Sequence, residues 1–379
     1  MRKYYLITML LFLIFSFQTK TLASSVDSLA ITSEAVILMD TKSGAILYEK
    51  NANKMMYPAS LTKIATAIYA IENGNLQDMV TVSENAFRTV GSSVYLETGE
   101  VVSLKHLIQG MLINSGNDAA VAIADYFHGN VEQFSIHLNK YLQEKVGVNN
   151  THFSNPHGLF SDDHYTTAED LAKMTNYAMK NTEFREIFGT KLLKWEGKSW
   201  DTTLISHHLM LKGEFPYDGI TGGKTGYVSE AKSTLATTAD NGQIQLTAIV
   251  LKAGNQKQIY KDTKQLLDYG FQNFKTTSIP VTQKFTVDDK NFFPAQSISI
   301  SEALNGVHFE ISKDGMLKVQ TNEYQTLQTV KLNPEIIPNQ VELNKAVEKN
   351  SLINMNTFFG TLVIVAAGAI IKLRKKNNV

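Results

Sequence analysis

Apolar residues recur at Leu61, Ile64, Ala65, Ile68 and Ile71, a spacing that predicts a helix starting in the Tyr57-to-Lys63 stretch and running to about Glu72. Pro58 suits the position just before its first turn, and Asn73-Gly74 suits a stop. Ser60, Lys63, Ala67 and Ala70 fall on another face, where the small alanines admit a close neighbour. Further helical patterns cover 104–113, 118–127 and 131–146, with Asn114-Ser115-Gly116-Asn117 breaking the first two apart. Thr167 caps a helix over 168–179, after a loop at 155–164. Short apolar runs at 35–40 and 45–48, joined by Thr41-Lys42-Ser43-Gly44, predict a hairpin. The stretch 218–226 leads into strands at 233–239 and 243–251, joined by Asp240-Asn241-Gly242, a strong hairpin turn. Residues 262–271 close this part as a helix. Two strands, a long helical insert, then strands and a last helix make an α/β chain of α+β type, with antiparallel sheet and helices in layers.

After about Thr276 the pattern changes to alternation at 283–287, 297–301, 307–311, 317–321 and 329–332, with Lys313-Asp314-Gly315 as a turn. This predicts a small all-β domain, followed by a polar stalk. At the start of the chain, Arg2 and Lys3 precede an apolar run over 4–17, and Thr21-Leu22-Ala23 forms a small-residue cleavage site. At its end, 355–373 is mostly apolar and is followed by Arg374, Lys375 and Lys376. With Lys372 snorkelling, that run is long enough to cross a bilayer, and the cations mark its cytoplasmic side. The expected organisation is a signal peptide (1–23), a catalytic domain (24–275), a small β-rich domain (276–340), a stalk (341–354), a transmembrane anchor (355–373) and a cytoplasmic tail (374–379). The chain is thus expected to be exported and to keep a C-terminal foot in the membrane.

Composition narrows the chemistry. The 379 residues are 43% hydrophobic, ample for a full core. Lysine plus arginine and aspartate plus glutamate both number 36, so charge gives no reason to expect a nucleic-acid partner. Cysteine is absent, which excludes disulfides, thiolate catalysis, Cys-ligated zinc and iron–sulfur clusters. In an exported chain this fits a Gram-positive cell surface.

On the first helix Ser60 and Lys63 are one turn apart, so the hydroxyl and the amine are neighbours. A serine nucleophile needs an adjacent proton acceptor, and lysine serves only when its neutral form is favoured. The spacing alone is weak, since Ser229-Glu230-Ala231-Lys232 repeats it. His157, Asp162, Asp163 and His164 lack helical ligand spacing and any zincin motif, so no metal is expected and they read as loop residues at a site rim. His207, His208 and Trp195 read as structural or exposed residues. The Gly-x-Ser-x-Gly turn of a Ser-His-Asp hydrolase is missing.

Three pieces occur in a fixed order: Ser60-Leu61-Thr62-Lys63, Ser115-Gly116-Asn117 and Lys224-Thr225-Gly226. With Pro58-Ala59, Asn114, Asp118-Ala119-Ala120 and the stretch 151–159, the chain resembles the low-molecular-mass penicillin-binding proteins, specifically the D-alanyl-D-alanine carboxypeptidases. The resemblance covers almost everything from 35 to 271 and extends to the β-rich domain and membrane tail. It implies a β-lactamase/transpeptidase-like antiparallel sheet with a helical cluster, no cofactor, peptidoglycan stem peptides as substrates and β-lactam antibiotics as inhibitors. It also implies roles. Ser60 is the nucleophile, Lys63 its base, and Ser115 a relay between Lys63 and Lys224. Asn117 holds a substrate amide, Lys224 and Thr225 hold the terminal carboxylate, Gly226 allows close approach, and the N–H groups of Ser60 and Tyr227 bind the oxyanion.

Two departures stand out: Lys232 occupies a place often held by glycine, and the arginine many members carry near Ile259 is missing. The alternatives are an endopeptidase or transpeptidase on wall cross-links, a serine β-lactamase, and a wall-binding protein without activity. Against the β-lactamase, Glu302-Ala303-Leu304-Asn305 is one residue short of a Glu-x-x-Leu-Asn loop and lies far past Lys224. Against the inactive binder, Ser60, Lys63, Ser115, Asn117 and Lys224 are all present.

Overall fold

The computed structural model describes residues 29–335. The expected signal peptide, stalk, membrane anchor and tail lie outside the described residues. Among the described residues no helix is long and apolar enough to cross a membrane.

The strands Ala35–Asp40 (β1) and Ile46–Lys50 (β2) form the expected hairpin, and Ile220–Val228 (β3), Lys232–Asp240 (β4) and Gln245–Ala253 (β5) complete one antiparallel sheet in the order β2-β1-β5-β4-β3. β1 is buried along its whole length because both of its faces are covered. Alternate residues of a strand point to opposite faces. Ala35, Ile37 and Met39 accordingly join one core, with the helical insert, and Val36 and Leu38 join another, with Ile259, Leu266 and Leu267. The latter three belong to the helix Gln256–Asn273, which begins six residues before the expected 262 because Asn255 caps it, accepting from the Gln258 N–H.

Between β2 and β3 run the helices Thr62–Asn73 (α1), Leu104–Ile113 (α2), Asn117–His128 (α3), Val131–Tyr141 (α4) and Ala168–Ala178 (α5). α1 is buried from Thr62 through Ala70, on every face, so it forms the axis of the helical core. Ala67 and Ala70 are fully buried, as expected of small residues under a close neighbour. Asn117 is the first residue of α3 and not part of the break before it. The 218–226 stretch is itself mostly strand, so Lys224-Thr225-Gly226 lies inside β3. The hairpin Leu192–Glu196/Asp201–Ile205 and the helix Thr182–Phe188 have no counterpart in the sequence reading.

The described residues divide into two compact units, the first built from 29–279 with Ser297–Glu310 and Lys318–Val330, the second from Pro280–Gln296, Ile311–Leu317 and 331–335. In the first unit Phe274–Ile279 pairs antiparallel with Ile298–Ala303. The buried Asp40 carboxylate fastens this ladder, accepting from Thr276 Oγ1 at 2.8 Å and Ser301 Oγ at 2.7 Å. The second unit carries a sheet of Phe285–Val287, Lys290–Phe293 and Asn333–Pro334. Every residue of the predicted catalytic set belongs to the first unit.

Candidate active site

Ser60 sits in a single 3₁₀ turn, Ala59–Leu61, that leads directly into α1. The turn is tight because three other stretches of backbone close on it. Gly158 has φ +88, and a Cβ there would lie 1.9 Å from the Ala59 carbonyl oxygen. A Cβ on Gly226 would lie 2.9 Å from the Ser60 nitrogen, so both glycines are required by close approach. Thr234 on β4 donates to the Pro58 carbonyl at 3.0 Å. Ala59 itself is held at φ +50, a left-handed conformation that costs a non-glycine residue about 1 kcal/mol or more. A buried chain keeps it there. The Ser154 N–H donates to His164 Nδ1, which leaves His164 Nε2 to donate to Thr62 Oγ1, and that hydroxyl donates to the Ala59 carbonyl.

Lys63 is wholly buried, with Nζ 3.1 Å from Ser60 Oγ and 2.7 Å from both Asn117 Oδ1 and the His157 carbonyl oxygen. The last two atoms only accept. A neutral amine has two N–H groups and one lone pair, so donating to both acceptors directs the lone pair at the Ser60 hydroxyl. The Asn117 amide orientation is fixed independently, because its Nδ2 donates to the Val90 carbonyl at 2.7 Å. Burial holds the Lys63 ammonium well below the usual lysine value, the nearby Lys224 adds to this, and Asp118 opposes it. Geometry and electrostatics thus agree on a neutral base beside a serine.

Ser115 stands at φ +64 in the turn between α2 and α3. Its hydroxyl lies 3.0 Å from Lys224 Nζ, which also donates to the Thr225 carbonyl at 2.9 Å. No hydrogen bond joins Ser115 to Lys63. Asn117 takes that place, spending its carbonyl oxygen on Lys63. The turn is secured by the buried Asp118, whose carboxylate accepts from Ser93 Oγ and from the N–H groups of Val94, Leu96 and Ala119. Burial alone pushes Lys224 down to about 7. Thr225 and Gly226 are half-buried and Tyr227 is exposed, and these three line a cavity of about 600 Å³ together with Ser60 and Ser115.

The structure therefore brings Ser60, Lys63, Ser115, Asn117, Lys224, Thr225, Gly226 and Tyr227 to one place. His157 and His164 serve the loop beside it, with His157 giving its carbonyl to Lys63 and His164 bracing Ala59 through Thr62. Trp195 is buried and stacks on His106. His208 is structural, with Nδ1 capping a turn at Leu211 and Nε2 on Thr237. His207 is exposed, as the sequence reading allowed, and it also lines the cavity. Sequence reasoning missed Thr234 as well, a residue whose neighbours carry no motif. Glu302, of the near-match to a deacylation loop, pairs with Lys275 at 3.2 Å and is not among the residues lining the cavity.

The sequence profile described as D-alanyl-D-alanine carboxypeptidase matches residues 20–255. A D-alanyl-D-alanine carboxypeptidase of Bacillus subtilis, DacF, is 34% identical over 259 residues, 66% of this chain and 65% of its own length. The chain therefore spans just under two thirds of that relative. Among solved structures, penicillin binding protein 5 from Haemophilus influenzae superposes with a TM-score of 0.69 at 26% identity, covering 80% of this chain and 96% of that one. A variant of the Streptomyces K15 DD-transpeptidase superposes at 0.60 with 29% identity, covering 64% and 98%.

Proposed function

The chain belongs to the D-alanyl-D-alanine carboxypeptidase family, and from that premise we propose that it is a serine-type hydrolase removing the terminal D-alanine from peptidoglycan stem pentapeptides. One observation carries the reading: a fully buried Lys63, with both N–H groups of its neutral form engaged, directs its lone pair at Ser60 Oγ. In the proposed reaction Ser60 Oγ bonds the carbonyl carbon between the two D-alanines while its proton passes to Lys63. The N–H groups of Ser60 and Tyr227 receive the oxyanion, usually the largest single contribution to rate. The carbon–nitrogen bond then breaks, and the leaving amine takes the proton that Lys63 had accepted, handed on through Ser115, which leaves Lys63 neutral again. Water adds to the ester, the Ser60–carbonyl bond breaks, and the serine regains its proton. Lys224 and Thr225 hold the terminal carboxylate, and Asn117 keeps one N–H and one lone pair for a substrate amide.

The same acylation accounts for covalent binding of β-lactams. With no glutamate among the residues lining the cavity, hydrolysis of a penicilloyl ester is slow and the drug inhibits. Likeness to a DD-transpeptidase favours one second reading, activity on wall cross-links as endopeptidase or transpeptidase. For the chain as a whole we propose export by residues 1–23 and a catalytic domain over 24–275. A β-rich region at 276–340 and a stalk at 341–354 lead to a membrane anchor at 355–373 and an inner tail at 374–379, in a Gram-positive cell surface.

The test is covalent labelling. A fluorescent penicillin is expected to label the full-length protein and not Ser60→Ala, and a pentapeptide ending in D-Ala-D-Ala is expected to lose one D-alanine. Label on Ser229, or surviving Ser60→Ala, would sink the assignment. Cleavage confined to cross-linked fragments would move the endopeptidase reading ahead.

A further inference from the structure

The cavity beside Ser60 has an uneven distribution of used and unused hydrogen-bonding groups. Ser115 is spent on Lys224, Thr234 on Pro58, Asn255 on a helix cap and Tyr260 Oη on the Leu209 N–H. Among the described residues His207 makes no hydrogen bond, and this exposed residue lines the same cavity as Thr225 and Ser233. The backbone that carries it is clamped on both sides. The Ser206 N–H donates to the Lys191 carbonyl, the His208 N–H to Ser206 Oγ, and the buried His208 ring bridges to Thr237. A clamped backbone fixes the place from which this unpartnered imidazole reaches the cavity, so only its side-chain freedom is left to lose on contact.

The ligand chemistry follows from the neighbours. Loss of water chiefly disfavours a protonated His207, and the charges of Lys224 and Lys212 add to it, so Lys224 is within electrostatic reach of the ring. The ring is therefore neutral at physiological pH, its value lowered to about 4, and presents one N–H donor. The cavity lining holds no guanidinium and no carboxylate, and Ile259 supplies only hydrocarbon. Lys224, whose own value is near 7, is then a partly charged partner for an anion at neutral pH. A carboxylate placed there has a second oxygen to satisfy.

We propose that His207 is a specificity-determining residue whose imidazole N–H binds the C-terminal carboxylate of the acyl-D-alanyl-D-alanine substrate, beside Lys224 and Thr225. This assignment rests on the carboxypeptidase reading and adds to it a residue outside the three motifs. A neutral donor on a carboxylate is a charge-assisted bond, about twice as strong as its bond to an amide. Loss of His207 thus weakens acid more than amide, and a permanent cation at that position strengthens acid alone.

Binding is measured in a Ser60→Ala background of the full-length protein, with an N-acyl-D-Ala-D-Ala peptide and its C-terminal amide as probes. Adding His207→Ala is expected to raise Kd for the acid about tenfold and for the amide less than about threefold. Adding His207→Arg is expected to lower Kd for the acid, a gain that no packing role produces. Unchanged Kd for the acid, or equal weakening of acid and amide at an unchanged Tm, would overturn the assignment. Turnover of the acid by the wild-type chain is scored separately. If it is absent while the Kd pattern appears, the carboxypeptidase reading fails and His207 keeps only the binding of a peptide carboxylate.

Discussion

Two buried lysines, both lowered but by different surroundings, divide the work at this site. Lys63 is deprived of water and faces a like charge, which suits a base. Lys224 is lowered by burial only, to about 7, and so retains part of its charge at neutral pH. The profile of kcat/KM reports the free enzyme. For the free-acid peptide it is expected to rise at a pH far below lysine's ordinary value, as Lys63 loses its proton, and to fall above about pH 7 as Lys224 loses its own. The amide peptide lacks the carboxylate, so its fall should be absent. Matching alkaline limbs for the two peptides would refute the role of Lys224. The same residue bears on stability. Its folded value of about 7 lies below the roughly 10.4 of an unfolded lysine, so the unfolded chain binds the extra proton between those values. Stability therefore rises with pH across that window. At pH 7 the burial costs on the order of 4 kcal/mol, offset by about 1 kcal/mol for each of its two hydrogen bonds. Lys224→Met is expected to raise Tm by several degrees at pH 7 while narrowing the preference for acid over amide. A fall in Tm would mean that Lys224 supports the fold.

At the scale of elements, the turn between β3 and β4 shows what a motif leaves out. Lys232 opens β4 at φ +53, the conformation for which glycine is suited, and that is the physical reason a glycine fits where this chain has lysine. Lys232→Gly is expected to relieve about 1 kcal/mol of backbone strain, less a few tenths lost to the freer unfolded chain, with penicillin labelling unchanged. A lower denaturation midpoint would show that the Lys232 side chain holds the turn. The reading of elements from sequence succeeded where periodicity was strong and local. The α2 pattern matches Leu104–Ile113 residue for residue, and Thr167 caps α5 as expected, accepting from the Asp170 N–H. It fell short where tertiary contacts decide. Gly222, Gly223 and Gly226 hide the strand character of β3, although a Cβ at each would meet a neighbour closer than 2.5 Å. Asn117 reads as a break residue because its amide, engaged by Lys63 and Val90, is explained only by residues distant in sequence. The motif residues were legible because their spacing is chemical. Thr234 and His207 were not, since neither belongs to a spacing, and Asp118, legible as a signature residue, gave no sign of the four groups it clamps.

For the whole molecule, the residues that meet at Ser60 come from the stretch between Pro58 and Tyr260, all in the first compact unit. Nothing in the proposed chemistry draws on residues near either end of the chain. The apolar stretch 355–373 with Arg374, Lys375 and Lys376 behind it is proposed only to hold the enzyme at the membrane surface, facing the wall. Anchor and chemistry should then separate cleanly. A chain cut before Met355 is expected to leave the membrane fraction, remain soluble and keep kcat/KM on a soluble peptide within about twofold, as distant independent sites do. Protease added to wall-less cells should release most of the full-length chain as labelled, soluble protein. Activity on intact wall is expected to fall much further than activity on the soluble peptide, because the cut removes localisation and leaves the site as it was. A truncated chain that stays soluble but loses turnover of the soluble peptide would mean that the C-terminal segment takes part in catalysis, and the separation argued from the position of the site residues would be wrong.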